Sequence, residues 1–257
     1  MSVYPILDCN WLQSMENSVD PAHLQILHQD TASRGHTAKS TTRGLIDLVE
    51  KVEFEELPFG ILKKRYFTDG TLDQHPLIFP NNLRARNSTQ FRVPIDDTHT
   101  WHVHILFSPT EDGSIVEQGD DIPVQYYEPF KYPEGGQYPD VTYTMHIALA
   151  QDQMTWETAG PIADRERERL ATSDQGIVMY REMLKREIRK VQQGLDPMGV
   201  IRDPAHPVID TGFSENLETA VYREIYRVAD QDRGGVGAGE RPTYQRYETA
   251  PSPRASD

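Results

Sequence analysis

Cysteine is almost absent: Cys9 is the single thiol in 257 residues. That count excludes a disulfide framework, four-cysteine zinc sites, and any iron–sulfur centre built from the chain's own thiolates. A lone thiol fits a reducing compartment. No activating residues surround Cys9, so it reads as a small buried side chain. No apolar run approaches the length of a membrane span, and the first residues lack the basic-then-apolar pattern of an export signal. A soluble, cytoplasmic protein is therefore expected. Positive charge is also scarce, with 26 Lys and Arg against 40 Asp and Glu, a net charge of −14. Nucleic acid and anionic membranes both demand basic patches, so neither is expected as a partner. An anionic small molecule would need a local Arg/Lys cluster to reverse the overall field.

What the chain does have is concentrated near its start. Asn10-Trp11-Leu12-Gln13 leads through Glu16-Asn17 and Asp20 to His23 and His28. Two neutral imidazoles plus one carboxylate from elsewhere form the facial triad of non-haem Fe(II) oxygenases, which leaves coordination positions open for dioxygen. Five residues of α-helix turn through about 500°, which leaves His28 about 140° from His23 around the axis. Either His28 lies past the end of the helix or the helix is distorted there. Asp20 and His23, three apart, would share a helical face. A bare pair of histidines at this spacing is a poor motif and needs its surroundings to mean anything.

The rest of the chain alternates short strand signals with one strong helix. Thr31 to Thr42 is polar and reads as a loop or connector. Val52 to Glu55 and Ile61 to Phe67 look like strands, with an Asp69-Gly70 turn after them. Thr98 to Phe107 is the best strand, with Trp101, Val103, Ile105 and Phe107 on one face and His102, His104 and Leu106 on the other. Gln118 to Pro139 is irregular, and Val141 to Ala148 reads as a further strand ending near Asp152. A helix starts near Thr172-Ser173-Asp174-Gln175, which has capping-box spacing. It carries an apolar stripe of Ile177, Tyr180, Leu184, Ile188 and Val191 and stops at Gly194. A Pro-rich arm comes next over 195–213, then weak helical character from Leu217 to Ala229. Residues 230–257 have the composition of a disordered tail. Antiparallel strands capped by one long C-terminal helix make an α+β domain over 1–229.

The stretch from Asn10 to His28 resembles the catalytic domain of Rieske non-haem iron oxygenases, in the phthalate dioxygenase and aryl O-demethylase branch. Val93-Pro94-Ile95-Asp96-Asp97-Thr98-His99-Thr100-Trp101 and the segment from Glu157 to Asp174 are similar to the same branch, so the likeness covers roughly Asn10 to Gln193. The resemblance implies a helix-grip fold, a curved antiparallel sheet around a long helix. It also implies that His23 and His28 are iron ligands. By the same likeness Asp174 is the carboxylate ligand, with Asp164 the competing candidate. Asp20 would correspond to an aspartate that bonds a ligand histidine and links it to the Rieske histidine of a neighbouring subunit, the kind of carboxylate that fixes an imidazole's tautomer. Asn17 matches an asparagine near the iron.

The family likeness also carries a functional expectation. Fe(II) with O2 as co-substrate would hydroxylate, or O- or N-demethylate, a small aromatic compound. The two electrons would come from a [2Fe–2S] Rieske cluster and an NAD(P)H-dependent reductase. One cysteine cannot build that cluster, so it must sit on another chain or in a domain lost by truncation. The partner would be a Rieske or ferredoxin-type electron-transfer protein, within a homotrimer or hetero-oligomer. The alternative is a non-catalytic ligand-binding module of the same shape. His99, His102 and His104 are expected to line a pocket or to be satisfied polar residues. Trp156 and the Tyr126-Tyr127 pair are read as aromatic packing rather than substrate contacts.

Overall fold

The computed structural model describes residues 2–28, 49–106, 124–126, 131–132, 142–143 and 148–211, apart from 69, 71, 86–87, 206–207 and 210. The polar stretch 31–42, most of the irregular middle, the weak helix near 217–229 and the tail lie outside the described residues. Strand β1 (Ser2–Leu7) precedes helices α1 (Trp11–Val19) and α2 (Ala22–Ile26). Six strands come next: β2 (Val49–Leu57), β3 (Gly60–Phe67), β4 (Leu72–Ile78), β5 (Asn82–Ala85), β6 (Ser88–Pro94) and β7 (Thr100–Leu106). After the short β8 (Gln125–Tyr126), β9 (Lys131–Tyr132) and β10 (Thr142–Tyr143) come helix α3 (Ala148–Thr158), a single 3₁₀ turn at Thr172–Asp174, and the long helix α4 (Gln175–Gln192).

Eight strands form one sheet in the order β2-β3-β4-β5-β6-β7-β1-β8. Neighbours are antiparallel throughout except at the β1/β8 edge. The long helix lies against this sheet, which is the α+β helix-grip arrangement expected. α1 and α4 share a core with the sheet: Met15 and Val19 meet Tyr180 and Met183 over Ile61, Leu77 and Phe79, all buried. The closeness of the two helices is set at Gly176. A Cβ there would fall 2.5 Å from the Val19 carbonyl oxygen and 2.4 Å from the Phe54 ring.

The helical stripe expected on α4 is only partly the buried one. Tyr180 is fully buried, whereas Ile188 and Val191 are more than half exposed. The face turned inward carries Gly176, Tyr180, Met183 and Glu187. Glu187 can sit there because its carboxylate accepts from Lys190 Nζ and from the Met198 backbone N–H at 2.7 Å, pinning the arm beyond the helix. Gly194 ends the helix as expected, at φ 75°, a left-handed turn that glycine adopts without a Cβ clash.

β7 is the expected strand, but its faces are reversed from the usual apolar-inside order. Trp101 is 41% exposed while His102 is 2% exposed. Of the expected strand over 141–148, Thr142–Tyr143 is strand, 141 and 144–147 lie outside the described residues, and Ala148 onward is helix. No described helix is long and apolar enough to cross a membrane.

Candidate metal centre

The N-terminal motif folds as two helices with a break, not as one. Asn10 caps α1, its Oδ1 accepting the Leu12 N–H at 3.0 Å. The chain leaves α1 at Asp20 and restarts beyond Pro21, where no backbone donor is lost because a first-turn N–H has no helical partner. Asp20 serves the new helix: Oδ1 accepts from Ala22 N–H at 2.8 Å and Oδ2 from His23 N–H at 3.1 Å. α2 ends at Ile26, so His28 lies past the helix end, one of the two ways the i,i+5 spacing could be accommodated.

The three stretches that carry the resemblance meet at this motif. Asn10 donates its Nδ2 to the Asp97 carbonyl, and its backbone N–H to the Pro161 carbonyl. Gln13 donates to the Trp156 and Gly160 carbonyls and accepts from the Ala163 N–H. Glu16, buried on α1, accepts from Arg165 and from Arg181 of α4. The motif is thus bound to segments nearly 90 and 150 positions away.

Within that frame His23, His28 and Asp152 bring one ligand atom each to within 4.8 Å of one another. Asp152 Oδ1 is 3.2 Å from His28 Nε2 and 4.0 Å from His23 Nε2. Metal–nitrogen bonds of about 2.1 Å put adjacent ligand atoms roughly 3 Å apart, so these separations suit one shared cation. The outward nitrogens are fixed as well. His23 Nδ1 lies 3.2 Å from Asp20 Oδ2, and His28 Nδ1 lies 2.7 Å from Gln151 Oε1. Both acceptors call for N–H at Nδ1, which leaves each Nε2 facing inward as the nitrogen a metal ion would take. Asn17 Nδ2 donates to Asp152 Oδ1 at 3.2 Å, placing the expected asparagine beside the carboxylate. The donor set, two imidazoles and one carboxylate, suits ferrous iron.

Asp174 does not join this group; Asp152 takes its place. The Asp174 carboxylate turns back onto its own turn, where Oδ2 accepts the Ala171 N–H at 2.7 Å. That bond closes the 3₁₀ turn, and the side chain makes no cap hydrogen bond to α4. Asp164 is exposed, accepts the Glu166 N–H, and stays outside the group. Sequence reasoning misses Asp152 because α3 has no apolar stripe to announce a helix. Its buried positions include Gln151, Asp152 and Gln153 beside Ala150 and Trp156. Consecutive amides flanking a carboxylate, in a run of good helix formers, are the available signal.

Charge relations in the centre are opposed by burial and settled by hydrogen bonds. Burial disfavours protonation of His28, but the Asp152 and Gln151 contacts outweigh it and raise its pKa. Burial works likewise against ionised Asp20, yet the bonds from His23 and the two backbone N–H groups lower its pKa overall.

The inner face of the sheet beside the centre is cationic. Ile61, Lys63 and Arg65 alternate along β3, and register places Leu77, His75 and Asp73 opposite them on β4. Arg92 and His102 pair across β6 and β7, as do Gln90 and His104. Lys63, Arg65 and Arg92 are each at most 3% exposed. Arg65 is paired with Asp73, and Lys63 Nζ reaches the Asp20 carbonyl at 3.4 Å. Arg92 sits over the Trp156 ring and within the field of Asp152, with Nε and Nη1 buried and unbonded. This is the local cluster that a strongly acidic chain would need to hold an anion. His99 has a different role: its Nδ1 faces both Asp96 oxygens at 2.9 Å in the loop before β7. Trp156 packs with Leu7 and Cys9, both buried, as expected; the side chains of Tyr126-Tyr127 lie outside the described residues.

Two imidazoles and a carboxylate inside a helix-grip fold form a donor set that could hold a single metal ion. Residues 134–217 match the family described as LigXa C-terminal domain like. The chain is 33% identical over 212 residues to the 5,5'-dehydrodivanillate O-demethylase oxygenase subunit of Sphingobium sp. (strain NBRC 103272 / SYK-6), covering 79% of this chain and 47% of that protein. It is 25% identical over 229 residues to the phthalate 4,5-dioxygenase oxygenase subunit of Pseudomonas putida, covering 76% and 52%. Phenoxybenzoate dioxygenase subunit alpha of Ectopseudomonas oleovorans is 27% identical over 209 residues, covering 76% and 46%. The chain spans about half the length of these relatives. These matches support a relationship to the catalytic domain of Rieske oxygenases.

Proposed function

We propose that this chain is the catalytic component of a Rieske-type oxygenase that hydroxylates, or O- or N-demethylates, an aromatic carboxylate. His23, His28 and Asp152 would hold Fe(II). The observation that carries this reading is the convergence of those three side chains, with both histidines oriented from behind. Ferrous iron bound there would supply the activation of O2, with two electrons drawn from outside. One cysteine cannot hold a Rieske cluster, so the [2Fe–2S] centre and its NAD(P)H-dependent reductase lie outside this sequence.

The chain's own residues do the positioning. Asp20 keeps the His23 ring in its ligating tautomer, and Asn17 holds the Asp152 carboxylate. Asp20 is also the group that would receive the Rieske-bearing partner. Lys63 and Arg92, both buried in the sheet beside the centre, would hold the substrate carboxylate and favour it over neutral arenes. The names of all three relatives contain an aromatic carboxylate, which supports the same substrate class.

The test is anaerobic loading with Fe(II), then metal analysis of the desalted protein. One iron per chain is expected for the wild type and for Asp174→Ala, and little for His23→Ala or Asp152→Ala. Iron lost from Asp174→Ala but kept by Asp152→Ala would overturn the carboxylate assignment. No stoichiometric iron in the wild type would leave a ligand-binding cup. Turnover with a supplied Rieske protein and reductase then tests the reaction.

A further inference from the structure

We infer that Gln151 is a positioning residue for the metal centre: its side-chain oxygen fixes the tautomer of His28 and, being neutral, keeps the two imidazoles electronically unequal. The inference rests on the metal-site reading above. His28 and Gln151 approach at 2.7 Å, the shorter of the two Nδ1 contacts, and both are buried. An amide oxygen only accepts, so His28 carries a hydrogen at Nδ1, and Nε2, 3.2 Å from Asp152 Oδ1, is the nitrogen left to give up its proton to a metal ion. Gln151 directly precedes Asp152 on α3. One turn of helix therefore delivers a ligand and the group that orients a second ligand, and the two cannot move independently.

The asymmetry has chemical content. His23 is backed by a carboxylate, Asp20, and is the more electron-rich donor. His28 is backed by a neutral amide. With a divalent ion, Asp152 and Asp20 balance the charge, and no surplus anion is buried. A glutamate at 151 would keep the accepting oxygen but add that anion.

Anaerobic titration with Co(II), whose visible bands report coordination, distinguishes the possibilities. Gln151→Leu should bind Co(II) about 10- to 100-fold more weakly than wild type, the usual cost of removing such an orienting partner. Gln151→Glu should bind at least as tightly as wild type but with shifted bands. Long-range ¹H–¹⁵N spectra of the Zn(II)-loaded protein should show a slowly exchanging Nδ1–H of His28 in the wild type and a rapidly exchanging one in Gln151→Leu. A merely packing role moves neither that proton nor the bands. Wild-type affinity in Gln151→Leu would overturn the inference, as would loss of binding in Gln151→Glu, since an oxygen acceptor is retained there. Should Gln151→Leu fail to fold, Gln151→Glu and the wild-type Nδ1–H signal decide it. Failure of the wild type itself to bind Co(II) would instead overturn the metal-site reading beneath it.

Discussion

Replacing Lys63 by methionine should make the metal-free protein more stable. Lys63 is 3% exposed, and its pKa is pushed down to about 7, first by burial and then by the neighbouring Arg65 charge. Asp73 and Asp20 pull the other way without restoring it. The unfolded chain would hold that proton up to about pH 10.4. Between these two values the unfolded state binds more protons than the folded one, so wild-type stability rises with pH across the window. The penalty is complete below about pH 7 and gone above about pH 10.4. A displacement of this size corresponds to an upper bound of about 5 kcal/mol, at about 1.4 kcal/mol per pKa unit. Relaxation and water entry make roughly 2–3 kcal/mol the realistic gain for Lys63→Met, which preserves packing volume. Urea denaturation of both proteins from pH 7 to pH 10 measures it. The variant should be the more stable at pH 7, with the gap closing as pH rises. At the same time its affinity for benzoate should fall at least tenfold, because one of the two cations beside the centre is gone. A variant no more stable than wild type at pH 7, or a gap that does not change with pH, would refute the reasoning.

Two further outcomes concern buried groups. Gly176→Ala should lose about 1–3 kcal/mol in thermal or urea unfolding, since its Cβ meets a backbone oxygen that cannot swing aside; unchanged stability would mean that α1 and α4 are not held this closely. His75 is held to a pKa of about 4, mainly by burial, against about 6.5 unfolded. Its neutral form is therefore favoured by folding, with stability intact above pH 6.5 and lost as pH falls toward 4. Roughly 3 kcal/mol is the ceiling for that loss, and His75→Gln should show a flatter decline between pH 7 and pH 5; identical profiles would exclude His75 as a source of acid sensitivity.

The histidine motif is legible in the sequence because its chemistry is local. Asn10 caps Leu12, and Asp20 serves Ala22 and His23, each within three positions, and the 140° offset already requires the helix to stop before His28, as α2 does at Ile26. α4 is legible for a similar reason: helix formers run from Gln175 to a glycine stop. Its buried face differs from the expected one at Ile188 and Val191, because hydrophobicity is the only guide to facing that a sequence offers. Glu187 is inside only because Lys190 and the Met198 N–H reach it, a pairing no periodicity reveals.

The site's carboxylate illustrates a more general limit. Amphipathic pattern marks an element by the apolar surface it must hide, and so it finds elements whose burial is their only task. α3 hides an amide, a carboxylate and a second amide in succession. β7 likewise turns His102 inward and leaves Trp101 out, and β3 does the same with Lys63 and Arg65. Each breaks the local rule in a region where buried polar groups have chemistry to perform, and each costs stability that the cluster of Met15, Ile61, Leu77 and Tyr180 must offset. The reversed pattern is therefore itself the signature of the site. A strand whose histidines alternate with aromatics should be read with the histidines inside whenever a metal-ligand motif lies elsewhere in the chain. On that rule Asp152, in a helix with polar residues on its buried side, outranks Asp174, whose helix-start position already gives its carboxylate a local partner.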